Sequence, residues 1–175
     1  MNIIVRPAVE SDSGFFYNLR GVGAYQRFST STFNATFKDH DLWFKARLRS
    51  PVDILFLAYD ESENDIGYVR FEPDSSLCAF RLSFAIVPSE LGKGYSKPML
   101  QSAVSKLRVS SGTLDLICIT ASVHNLNIPS KKALESVGFR RLYEPQPLAL
   151  ESRSSSQNSD YSVYALHVEG LGCCH

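Results

Sequence analysis

The sequence predicts an α/β (α+β) fold: one mixed, mostly antiparallel, twisted sheet of about six or seven strands with helices on both faces. Three observations predict it. Strand-like runs at 53–60, 65–73 and 77–88 follow one another with only short polar links, the pattern of an antiparallel meander. Helical stretches with clear stop signals lie on either side of that meander. A nearly continuous apolar run, 114–123, has the composition of a strand buried in the middle of a sheet.

"NIIVRPA" (2–8) is rich in β-branched residues and ends near a proline, so it reads as a strand. "ESDSGFFYNLRG" (10–21) opens with acidic and capping residues and closes on Gly21, so it reads as a short helix. "VGAYQRFSTSTFNA" reads as loop or broken helix. "TFKDHDLWFKARLRS" (36–50) spaces Phe37, Leu42, Trp43, Ala46 and Leu48 as a helix does, and Pro51 stops it. After the three strands, "SKPMLQSAVSKLRVSS" (96–111) carries apolar residues at 99, 100, 103, 104 and 107, with Pro98 in the first turn, where a missing N–H costs little. "IPSKKALESVG" (128–138) is a helix closed by Gly138, and "FRRLYEP" (139–145) a strand. "QPLALESRSSSQNSD" (146–160) is a Ser-rich flexible loop, and "YSVYALHVE" (161–169) a last, alternating strand. The expected organisation is one domain over 1–169, with 170–175 as a disordered tail.

Composition narrows the function. Lys plus Arg is 18 and Asp plus Glu is 18, so no basic excess points to nucleic acid. No apolar run approaches the ~20 residues that span a bilayer, and the N-terminus lacks a signal-peptide pattern, so a cytoplasmic protein without a membrane partner is expected. Cys78, Cys118, Cys173 and Cys174 fit no zinc template, and no metal is expected; Cys78 and Cys118 read as small buried hydrophobes.

The chemistry is concentrated around "PSELGKGYS" (88–96), a pair of glycines between a strand and a helix. Glycine admits positive φ and close approach of the backbone. The first amides of a helix lack internal partners and attract anions, and Lys93 adds a positive charge. "IVPSELGKGYSKPML" resembles the pyrophosphate loop of the GNAT superfamily of acyl-CoA N-acyltransferases, whose Arg-Gly-x-Gly-x-Gly form aligns with Leu91, Gly92, Lys93, Gly94, Tyr95 and Ser96. The family arginine is Leu91 here and the last glycine is Ser96. "VHNLNIPSKKALESVGF" resembles the second cofactor segment, with Asn127, Ser130, Ala133, Gly138 and Phe139 at the family spacing. The resemblance implies the GNAT fold, acetyl-CoA as co-substrate, and cofactor contacts from Phe84, Ile86, Val87, the 91–96 loop, Asn127 and Ser130. Family members often carry a tyrosine four residues after that serine as general acid; this sequence has Leu134.

The first half is similar to acetyltransferases of nucleotide-linked amino sugars in nonulosonic (pseudaminic-type) acid pathways. His40, Trp43 and Phe44 match a His-x-x-Trp-Phe segment; Gly67, Val69, Arg70 and Phe71 match a strand; Arg20 remains of a third segment. This implies a small-molecule amine acceptor held by Arg20, His40, Trp43 and Arg70, Arg being suited to bidentate phosphate contacts. Protein N-termini and other small amines stay open as acceptors, as do a homodimer and a non-catalytic acyl-CoA-binding regulator. The amine must lose a proton before it attacks the thioester. Candidate bases are Glu72, at a strand end, and His124, beside the cofactor segment; Ser83 could relay a proton through water. A backbone N–H from Phe84 to Val87 would hold the developing oxyanion.

Overall fold

The computed structural model describes residues 2–28, 34–74, 79–110, 116–142 and 160–169. The elements are β1 (Ile4–Pro7), α1 (Ser13–Arg20, entered through a 3-10 turn), α2 (Gly23–Gln26), α3 (Phe37–Arg49), β2 (Ile54–Tyr59), β3 (Asp65–Pro73), β4 (Ala79–Ile86), α4 (Ser96–Ser110), β5 (Leu116–His124), α5 (Ile128–Ser136), β6 (Arg140–Arg141) and β7 (Tyr161–Glu169). They form one seven-stranded sheet in the order β1-β2-β3-β4-β5-β7-β6. Every neighbouring pair is antiparallel except β4 and β5, which are parallel and joined through α4.

Alternation along the strands divides the core between two faces. On one face Val5, Phe56, Val69, Phe71, Leu82 and Ile86 pack under Met99, Leu100, Ala103 and Leu107 of α4 and Leu134 of α5. Those α4 positions recur at helical spacing and are fully buried, so they hold the helix to the sheet. On the other face Leu55 and Leu57 pack under Phe16 of α1 and Phe44 of α3, whose ring centroids are 4.9 Å apart. Thr36 caps α3 by accepting from the Asp39 amide at 3.2 Å. Gly67 leaves no room for a side chain against β4: a Cβ there would lie 2.3 Å from the Ala85 carbonyl oxygen.

The meander, α4 and β7 lie where their patterns placed them, and three other elements differ in detail from expectation. The "loop or broken helix" after Gly21 contains the short helix α2. β5 is not buried on both faces: Ile117, Ile119, Ala121 and Val123 are buried, whereas Leu116 is half exposed and Cys118 only partly covered. The buried set joins the cluster that contains the α4 and α5 residues, as one face of an alternating strand does. Of the strand expected at 139–145, Arg140 and Arg141 pair with β7 and the Leu142 amide donates to the Val163 carbonyl at 2.8 Å, while 143–145 lie outside the described residues. Cys78, Cys173, Cys174, most of the Ser-rich segment and the expected tail lie outside the described residues.

The feature that positions the site is an interruption in the sheet. Among the described residues β4 and β5 pair only through Ala79, Phe80 and Arg81 with Cys118, Ile119 and Thr120. Beyond that point 82–86 and 121–124 continue as strands without a ladder between them, each still paired on its far side.

Candidate active site

The direction of the exposed β4 edge follows from its pairing with β3. The Val87 amide donates to the Ile66 carbonyl at 2.8 Å, so Val87 faces β3. By alternation the N–H and C=O groups of Leu82, Phe84 and Ile86 face the gap. Ile86 verifies this, because its carbonyl accepts a hydrogen bond from the Tyr25 hydroxyl of α2. This corrects one expectation: the Val87 amide is committed to the sheet, and the donors that face the gap are those of Phe84 and Ile86.

The glycine loop follows directly. Gly92 and Gly94 have φ of 78° and 83°, a region that other residues enter at a cost. Open space lies beside both, so their conformation rather than crowding requires glycine. Among the described residues no acceptor takes the amides of Gly92 to Lys97, and these lead into the N-terminus of the fifteen-residue α4. A turn with two left-handed glycines, a row of available amides and a positive helix end fits a pyrophosphate. Tyr95 and Ser96 are half-buried at the helix start, and Leu91 is exposed. Lys93 is not the free cation the sequence suggested: its ammonium donates to both Glu90 carboxylate oxygens, at 3.0 and 2.9 Å.

Across the gap, β5 ends in a tight turn. The Asn127 amide donates to the His124 carbonyl at 2.8 Å, and the Asn127 side-chain oxygen accepts from the Ser130 amide at 3.2 Å. Asn127 is therefore the N-cap of α5, and its Nδ2 has no acceptor among the described residues. An amide arm lying in the gap could use that Nδ2, whereas the Ser130 amide is already satisfied. His124 Nδ1 accepts from the Leu126 amide at 3.1 Å. The lone pair a base would use is thus engaged, and in the neutral ring Nε2 carries the proton. The geometry makes His124 a donor, contrary to its expected role as base. Its ring packs against Phe28 and Tyr161, with centroids at 5.4 and 5.1 Å.

The acceptor side lies on the face covered by α1 and α3. Tyr68, Arg70 and Glu72 project there from β3, with Ser83 opposite Arg70 and Arg81 opposite Glu72. Arg70 Nη2 donates to Glu72 Oε2 at 2.8 Å. The Trp43 ring from α3 is surrounded by guanidiniums: Arg20 at 4.6 Å, Arg70 at 5.3 Å and Arg47 at 5.8 Å from its centroid. Arg47 is held by both oxygens of Asp53, each at 3.0 Å. Burial lowers the Arg20 pKa from its ordinary value, and Arg70 lowers it further. Burial raises the Tyr68 phenol. Arg70 Nε is buried and has no hydrogen-bond partner among the described residues.

Arg20, Trp43, Arg70, Glu72 and Ser83 therefore come together. His40 does not join them at the surface. It is 1 % exposed, with Nε2 3.1 Å from the Ser13 carbonyl, and packs between Tyr17, Trp43 and Phe44. It supports Trp43 from below and cannot touch an acceptor. Leu134 is fully buried in the main core and offers no acid. Tyr25 and Tyr68 were not singled out from sequence; Tyr68 could have been found by alternation with Arg70 and Glu72, whereas nothing local marks Tyr25.

Comparison with known proteins agrees with this geometry. Residues 2–140 match the family described as acetyltransferase (GNAT) domain. No curated protein matches the chain in sequence. Among solved structures, spermidine N-acetyltransferase from Vibrio cholerae, in complex with CoA and spermine, superposes with a TM-score of 0.74 at 18% identity, covering 96% of this chain and 95% of that one. A GNAT-family acetyltransferase from Streptococcus pneumoniae gives 0.68 at 16% identity, covering 97% and 99%. A domain from Methanocaldococcus jannaschii gives 0.72 at 15%, covering 95% and 99%. At these identities the likeness is one of fold. No helix among the described residues is long and apolar enough to cross a membrane. With the family match spanning most of the chain, and a gap and glycine loop suited to its cofactor, this protein belongs to the GNAT acetyltransferase family and is an acetyl-CoA-dependent N-acetyltransferase.

Proposed function

We propose that the acceptor is a primary amine on a molecule that also bears anionic groups, a nucleotide-linked amino sugar. The observation that carries this is the guanidinium pair of Arg20 and Arg70 over Trp43, with a buried Arg70 Nε that lacks a partner among the described residues. A buried donor without a partner is costly and suits a ligand oxygen. A polyamine, the acceptor class of the Vibrio cholerae neighbour, would instead meet two like charges on this face.

In this reading the chain's residues divide the work. The 92–97 amides and α4 hold the pyrophosphate of the cofactor, which supplies the activated acetyl group. Phe84 and Ile86 amides line the arm, and Asn127 Nδ2 donates to it from across the gap. The Phe84 amide faces the place where charge develops on the carbonyl oxygen. Arg20 and Arg70 orient the anionic part of the acceptor. Of the three candidate proton acceptors, Glu72 fits best. Its Oε1 has no partner among the described residues, whereas His124 presents a donor. Ser83, next to Arg70, remains a relay.

Thiol release with acetyl-CoA, measured on a panel of nucleotide-linked amino sugars, polyamines and peptide amines, tests the reading. Turnover on nucleotide sugars is expected, with Arg70→Met raising the acceptor KM and leaving the acetyl-CoA KM nearly unchanged. Turnover on polyamines or peptides and none on nucleotide sugars would overturn the acceptor and leave the cofactor assignment intact.

A further inference from the structure

We propose that Trp43 is a positioning residue of the acceptor site, its ring face gathering the Arg20 and Arg70 guanidiniums into one anion-binding pair, a role that rests on reading this face as the seat of an anionic acceptor. Bringing two guanidiniums together is a problem of like charge. Arg20 ends α1 and Arg70 lies in β3. The Arg20 pKa is lowered by burial first and by the Arg70 charge as well. A carboxylate placed between them would relieve the repulsion, but it would also take the donors that an acceptor anion needs.

An aromatic face relieves the repulsion differently. The ring quadrupole attracts the whole charge of a cation over it rather than one N–H. The Arg20 and Arg70 guanidinium carbons lie 4.6 and 5.3 Å from the Trp43 centroid. Glu72 takes Arg70 Nη2, whereas the buried Arg70 Nε has no hydrogen-bond partner among the described residues. Arg47 illustrates the alternative: it also lies over the ring, at 5.8 Å, but the Asp53 carboxylate anchors it.

A rack for charged groups has to be rigid, and the ring is supported from the core. His40, buried and with Nε2 3.1 Å from the Ser13 carbonyl, packs its ring 5.5 Å from that of Trp43. Phe44 follows at 5.8 Å from His40, and Phe16 of α1 at 4.9 Å from Phe44. A continuous column of rings thus joins the packing of α1 on α3 to the guanidiniums. With His40 against it and three guanidiniums over it, the Trp43 ring is already engaged. It acts on the acceptor through the arginines rather than as a platform for a nucleobase.

Trp43 is the only tryptophan in the chain, so intrinsic fluorescence reads the stack directly. The first measurement titrates wild type with inorganic pyrophosphate at constant ionic strength, after saturation with CoA so that the glycine loop is filled. Trp43 emission should change saturably, with the Kd that calorimetry gives, and the change should vanish in Arg70→Met. The second is steady-state kinetics on a nucleotide-linked amino sugar, with thermal melts to verify folding. Trp43→Leu should raise the acceptor KM about 10-fold with the acetyl-CoA KM within about twofold, whereas Trp43→Phe, which keeps a weaker ring face, should raise it about threefold. Pyrophosphate binding with silent fluorescence, an unchanged acceptor KM in Trp43→Leu, or an equal rise in both KM values would overturn the proposal and leave the anionic acceptor standing. Should Trp43→Leu unfold, the wild-type titration decides, and silent binding overturns the role. Turnover on polyamines or peptides and none on nucleotide sugars, with no pyrophosphate binding, would remove the acceptor reading and this role with it.

Discussion

Gly94 offers the sharpest test of how the loop binds its anion. Its φ of 83° lies in the left-handed region, yet a Cβ added there meets no atom within 4 Å. Substitution should therefore act through backbone conformation, and the penalty should track the cost of a left-handed residue. That cost is about 1–2 kcal/mol for an ordinary side chain and less for asparagine, whose short polar side chain tolerates the region. The loop can relieve the strain by turning the 94–95 peptide, which removes the nearby amides from the anion. At about 1.4 kcal/mol per tenfold, Gly94→Ala should weaken CoA binding about 5- to 30-fold. Gly94→Val, β-branched, should lose more, and Gly94→Asn should lose least. Calorimetric titration with CoA reads the series directly, with circular dichroism confirming folding, which an exposed loop should preserve. Equal losses for Asn and Val would mean that side-chain bulk against the ligand decides. No loss in any variant would mean that the pyrophosphate lies elsewhere.

Three further outcomes follow. Asn127→Ala should lose about 1 kcal/mol of stability with the α5 cap and raise the acetyl-CoA KM severalfold, whereas Asn127→Ser should restore the melt but not the KM. Gly67→Ala should lower the melting temperature by forcing β3 from the Ala85 carbonyl, at a cost of about 1–3 kcal/mol, with little change in the KM of either substrate in protein that remains folded. The His40 pKa is lowered, first by burial and then by the Arg20 charge, against opposing contributions from the Ser13 carbonyl and Asp41. Its contribution to stability is complete above the unfolded value of about 6.5 and is lost as pH falls below it, because the unfolded chain then binds more protons. Melting curves should drop through that window in wild type more steeply than in His40→Gln.

The sequence was most legible where a single periodicity ruled. β3 occupies 65–73 as its pattern indicated, and α4 buries Met99, Leu100, Ala103 and Leu107 as its spacing required. The glycine loop was legible because positive φ restricts residue type. Other features depended on partners distant in the chain. His40 and Trp43 share a helix and an aromatic character, yet only the packing of α1 over α3 decides that one is sealed and the other meets guanidiniums. His124 ends β5 next to Asn127, as its place in the sequence indicates, but the turn at 125–127 sets which ring nitrogen is engaged. Lys93 met Glu90, only three residues away, a pairing that composition does not reveal. Tyr25 reaches a carbonyl 61 positions further along the chain, and no local signal encodes that.

The interrupted ladder between β4 and β5 makes the sheet two plates joined, among the described residues, at three residue pairs, β1 to β4 on one side and β5, β7 and β6 on the other. A bound arm would act as a non-peptide splint between them. In the free protein the Phe84 and Ile86 amides should exchange with solvent deuterium like those of an outer strand, although they sit at the centre of seven strands. With CoA present they should slow together, and the relative hinging of the plates with them. The protein would then reach its full mechanical continuity only as a complex, so its thermal stability should report cofactor concentration, rising by about 2.7 kcal/mol at a hundredfold excess over Kd.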